Sequence, residues 1–71
     1  MSSVVKRSVT ISGHPTSVSL EQEFWQALRE IAQKQNTSVP SLISKIDKTR
    51  TGGLSSALRI YILKNIKDNK P

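Results

Sequence analysis

"TSVSLEQEFW", Thr16–Trp25, changes its period halfway along. Ser17 and Ser19 alternate with Val18 and Leu20, the period of a half-buried strand. No turn residue follows. From Glu21 onward the spacing is helical: Phe24, Leu28, Ile31 and Ala32 recur at i, i+4, i+7 and i+8. Gln22, Glu23, Gln26, Arg29, Glu30 and Gln33 fall off that stripe, and Trp25 sits beside it. A strand of about five residues cannot stand alone, because its backbone donors and acceptors need partners. The fold turns on what pairs with it.

One candidate lies upstream. "VVKRSVTI", Val4 to Ile11, alternates too, with Val5, Arg7, Val9 and Ile11 on one face and Lys6, Ser8 and Thr10 on the other. "SGHP", Ser12 to Pro15, reads as a turn, with Gly13 free to take positive φ and Pro15 fixed. The sequence thus allows a hairpin of Val4–Ile11 against Thr16–Leu20.

Downstream, two more helices are expected. Asn36 tolerates the left-handed conformation and suits the stop of the first helix. Ser38 is the expected N-cap of the second, with Pro40 in the first turn, where its missing N–H does no harm. Val39, Leu42, Ile43 and Ile46 give this helix a buried face. "TGG", Thr51 to Gly53, ends it. A third helix is expected over Leu54–Lys67, with Leu54, Ala57, Leu58, Tyr61, Ile62 and Ile66 on a broad apolar side and a polar "DNKP" tail after it.

With 71 residues, the chain is one small domain near the lower limit for a self-sufficient core. It has no cysteine, so no disulfide, and one histidine and five acidic residues are too few for a protein-caged metal. Oligomerisation is the remaining source of buried area, and no cofactor is expected. No apolar run exceeds four residues and the N-terminus lacks a secretory h-region, so the default expectation is cytoplasmic. With one histidine, no cysteine and no Gly-rich phosphate loop, no catalytic constellation is visible. The net charge of +6 is uneven: +2 over residues 1–20, −1 over 21–47 and +5 over 48–71. Such a balance favours an anionic partner, nucleic acid first.

The stretch "TSVSLEQEFWQALREIAQKQNTSVPSLISKI" resembles the ribbon-helix-helix DNA-binding superfamily of Arc-, MetJ- and CopG-like repressors. More narrowly, "KRSVTISGH", "TSVSLEQEFW", "ID" at Ile46–Asp47 and "LSSALR" at Leu54–Arg59 look like a bacterial subfamily of small ribbon-helix-helix proteins. The resemblance implies a mainly α fold with a short β ribbon, built as an intertwined homodimer. An N-terminal extra strand or arm (1–15) would precede the ribbon-helix-helix core (16–50), and a third helix and tail (51–71) would follow. It also offers a second partner for the strand: its own copy from another subunit, the two entering the DNA major groove together. The implied base-facing positions are Pro15, Ser17 and Ser19. The implied phosphate clamp is Ser38, Val39 and Ser41, at a helix N-terminus. The implied dimer core is Val18, Leu20, Phe24, Trp25, Leu28, Ile31, Leu42, Ile43 and Ile46.

Pro15 departs from the pattern. Many relatives carry a basic residue there, and proline offers no side-chain donor, while serines discriminate bases poorly. Lys6, Arg7 and His14 form a basic arm placed to supply the missing contact. The function implied is a homodimeric DNA-binding regulator, a nucleoid-associated repressor, with double-stranded DNA and a second copy as partners. The alternative is an antitoxin-like or adaptor dimer whose chief partner is another protein.

Overall fold

Two residues reverse the chain after the first strand. Ser12 and Gly13 both have positive φ, 51° and 82°, the combination of a type I′ turn, whose twist matches that of paired strands. The computed structural model describes residues 3–68. In it β1 (Val4–Ile11) pairs antiparallel with β2 (His14–Glu21), from Val4 opposite Glu21 to Ile11 opposite His14. The hairpin is therefore formed within one chain. The turn is shorter than the expected Ser12–Pro15, because two positive-φ residues suffice, and His14 and Pro15 join β2. The expected boundary after residue 15 falls inside this strand.

The turn also sets the direction of every backbone group. Its hydrogen bond closes Ile11 onto His14, and antiparallel bonds alternate from there. Val9, Arg7 and Val5 thus bond toward β2, while Thr10, Ser8 and Lys6 direct their backbone groups to the outer edge. On β2 the outward residues are Pro15, Ser17 and Ser19. Pro15 fits because its absent N–H faces away from the ladder.

α1 (Gln22–Lys34) ends in a Schellman motif. Asn36 takes φ 55°, its N–H donates to the Gln33 carbonyl at 3.1 Å, and Thr37 N–H donates to Ala32 at 2.9 Å. α2 (Val39–Thr49) is capped by Ser38, whose Oγ accepts from Ser41 N–H at 3.2 Å. After Thr51–Gly53, α3 (Leu54–Asp68) returns across the molecule. Of the expected polar tail, residues 69–71 lie outside the described residues.

The inner face of the hairpin is covered by all three helices: α2 packs on β1, and α1 and α3 pack on β2. Val18, Leu20 and Ile11 project into this core and meet Leu28 and Ile31 of α1, Leu42, Ile43 and Ile46 of α2, and Leu58 and Ile62 of α3. Leu20, Leu28, Ile43, Leu58 and Ile62 are 0% exposed, each contributing roughly 1.5–3 kcal/mol of burial. Within one chain, α3 covers these residues through Leu58 and Ile62.

Trp25 and Phe24, both expected in the core, are buried unequally, and Ile66 departs from its expected place. Trp25, beside the stripe, is more buried than Phe24, on it. β1 lies over the indole, whose Nε1 donates to the Val5 carbonyl at 2.9 Å, while Phe24 is half-buried with the Arg59 guanidinium 5.9 Å from its ring centre. Ile66, expected on the apolar side of α3, is 57% exposed, like Ile60 and Leu63, because the core ends at Ile62.

Candidate nucleic-acid interface

The hairpin has two faces of opposite chemistry. The outer one is built of cross-strand pairs: Lys6 opposite Ser19, Ser8 opposite Ser17, and Thr10 opposite Pro15. Directly opposed residues share a face about 5 Å apart, so four hydroxyls, a proline and an ammonium form one surface. Lys6, Ser8, Thr10, Pro15 and Ser17 are exposed, and Ser19 is half-buried. Glu21 closes the end of this face. Its carboxylate is taken by Arg59, whose Nε donates to Oε1 at 3.0 Å. That guanidinium holds the Glu21 carboxyl below the ordinary carboxylate range.

The expected base-facing residues Pro15, Ser17 and Ser19 therefore lie together on the outer face, with Val18 and Leu20 on the inner one. The basic arm is divided. Lys6 joins the serines. Arg7 pairs with Val18 on the inner side, its guanidinium 5.5 Å from the Trp25 ring centre. His14 stands opposite Ile11 beside the turn. Ser8 and Thr10 were missed as site residues. Their alternation with Val9 and Ile11 was visible, but a partner strand was needed to set them beside Ser17 and Pro15.

Arg7 belongs instead to a groove of about 430 Å³ that it shares with Arg29, Trp25 and the start of α2 at Val39 and Pro40. Of the expected clamp residues, Val39 lines this groove with the two arginines, and Ser38 and Ser41 do not. Pro40 has no N–H, and Ser41's is taken by the Ser38 hydroxyl, which also donates to Ser41 Oγ at 2.9 Å. Val39 N–H is the donor left in this first turn, where the helix dipole is positive. Arg29 could have been found from its position four residues after Trp25, on the same side of α1.

A two-stranded ribbon followed by helices is consistent with a known fold family. The model of a ribbon-helix-helix domain aligns with residues 4–66. The chain belongs to the ribbon-helix-helix family. The solved structure of an uncharacterized protein from Bordetella pertussis Tohama I is similar, with 34% sequence identity and a TM-score of 0.76 over 90% of this chain. This chain spans 56% of that one. No curated protein matches it. Ribbon-helix-helix domains are commonly dimeric, DNA-binding regulators and typically not enzymes. No described helix is long and apolar enough to cross a membrane.

Proposed function

We propose that this chain is a homodimeric DNA-binding protein, a cytoplasmic, nucleoid-associated transcriptional repressor that inserts its β ribbon into the DNA major groove. One observation carries the reading: the outer ribbon face, where Lys6, Ser8, Thr10 and Ser17 are exposed and Ser19 is half-buried beside them. Hydroxyls both donate and accept, which suits base edges and phosphates, and Lys6 supplies a cation for guanine or phosphate. The groove of Arg7, Arg29 and Val39 N–H suits a backbone phosphate beside the ribbon. This leaves Ser38 and Ser41 the work of holding the end of α2 in place.

The test is fluorescence anisotropy of labelled random duplex DNA across a salt series. Expected is micromolar or tighter binding at low salt, weakening steeply as salt rises. Absence of binding at low salt contradicts the proposal.

A protein-binding dimer is the second reading. It is favoured by Ile60, Leu63 and Ile66, which expose 51%, 54% and 57% of their surface on α3. Capture of one stoichiometric protein from lysate by a chain that ignores DNA would select it.

A further inference from the structure

A second groove, of about 500 Å³, lies between α2 and α3 where the turn of residues 51–53 joins them. Its apolar lining comes from Ile46 of the core and from Ala57 and Ile60 on α3. Ile60 leaves 51% of its surface to water, a cost that an apolar group laid over it would relieve. Tyr61 adds an aromatic wall. Its hydroxyl accepts from Gln35 Nε2 at 2.8 Å, so the residue that ends α1 holds the ring in place. The turn is fixed as well: Arg50 donates from Nε to Asp47 Oδ1 and from Nη1 to the Gly52 carbonyl.

The charged lining is of one sign. Lys45, Arg50 and Lys64 border the groove and, among the described residues, no carboxylate does. Asp47 answers Arg50. Lys45 and Lys64 are exposed, and neither has an ion-pair or hydrogen-bond partner among the described residues. Apolar walls with unanswered cations at the margin suit an anion that carries an apolar body. The volume falls in the range of small-molecule sites, roughly 300–1,000 Å³. The turn closes one end, so a docked helix, whose anchors repeat along its length, has no room to run through.

We propose that this groove binds a small aromatic carboxylate, its ring against Tyr61 and Ile60 and its charge at Lys45 and Lys64. The ring displaces water from Ile60 and Ala57, and the two ammonium groups donate charge-assisted hydrogen bonds to the carboxylate. The site is separate from the arginine groove beside the ribbon, with which it shares no residue. It does not depend on DNA binding. Its α3 wall is nonetheless the helix that holds β2, through Ser55 Oγ on the Ser19 carbonyl and Arg59 on Glu21.

The test is a titration of the isotope-labelled full chain, free of DNA, with naphthoate, followed by amide chemical shifts. Neutral naphthamide supplies the ring alone, and inorganic phosphate the charge alone. Expected for naphthoate is saturable binding with a Kd below about 1 mM and shifts concentrated at residues 49–53 and 56–64. Its affinity should exceed that of either other probe at least about fivefold. Lys45→Gln with Lys64→Gln, at two exposed positions, should keep the spectrum of a folded chain and lower naphthoate affinity at least about fivefold. No saturable naphthoate binding overturns the proposal, as does equal affinity for naphthamide or phosphate, or shifts centred on Arg7, Arg29 and Val39 instead. Unchanged affinity in the lysine variant overturns it too. DNA binding is measured separately: a chain that ignores DNA and takes up naphthoate would refute the function and leave this site standing.

Discussion

The same sixteen strand residues build two surfaces that obey different rules. On the inner face each side chain is explained by what it touches: Val18, Leu20 and Ile11 fill the core, and Arg7 lies over Trp25. On the outer face nothing in the fold calls for Lys6, Ser8, Thr10 and Ser17, which stand in water. Side chains that the fold does not use are the ones free to serve a partner. Stability should therefore live on one face and recognition on the other.

Substitutions can break that division. The largest effect is expected at Leu20, which is 0% exposed: Leu20→Ala should cost about 2–5 kcal/mol in urea unfolding, enough to unfold a small domain. If it cost less than about 1 kcal/mol, the inner face would not be the core. Next is Lys6→Ala, which should leave stability within about 0.5 kcal/mol while weakening duplex binding and lowering the salt slope by about 1 per subunit. A change in unfolding with no change in binding would reverse the assignment of the two faces.

The turn comes third. Ser12 carries a side chain at φ 51°, where asparagine is better tolerated. Ser12→Asn should raise stability by about half a kcal/mol and leave DNA binding alone. The smallest effect concerns the end of the outer face. Arg59 lowers the Glu21 pKa, so the ionised pair stabilises the fold above the ordinary glutamate range, about pH 4.3, and that stability is lost as pH falls through the lowered folded value. Glu21→Gln should flatten the acid limb of the stability profile below that pH and leave the neutral region nearly unchanged. An unaltered acid limb would show that the contact with Arg59 does not hold α3 to the ribbon.

Much of this division was legible in the residues. Alternation separated Ser17 and Ser19 from Val18 and Leu20, because a strand's period is set by backbone geometry alone. Ser38 and Asn36 marked helix ends for equally local reasons, a hydroxyl at an N-cap and tolerance of positive φ. Long-range placement was not legible. The burial of Trp25 depends on β1 lying alongside it, and the closing of the core depends on α3 folding back over β2. The contact of Arg59 with Glu21 spans 38 residues, beyond the reach of any periodicity. Pro15 is the instructive case. By sequence it is a turn residue and a missing base contact, and its place in β2 shows it as an outward edge position where a proline disturbs no ladder bond.

The central claim is that the outer ribbon face, and not the chain's general basicity, binds DNA. Its most direct test is a pair of anisotropy titrations on one labelled duplex at one salt concentration. One uses the outer-face variant Lys6→Ala with Ser8→Ala, the other the α3 variant Lys64→Ala with Lys67→Ala. The account predicts an affinity loss of about tenfold or more for the first and less than about threefold for the second, with both variants folded by circular dichroism. Equal losses, or the larger loss in the α3 variant, would contradict it.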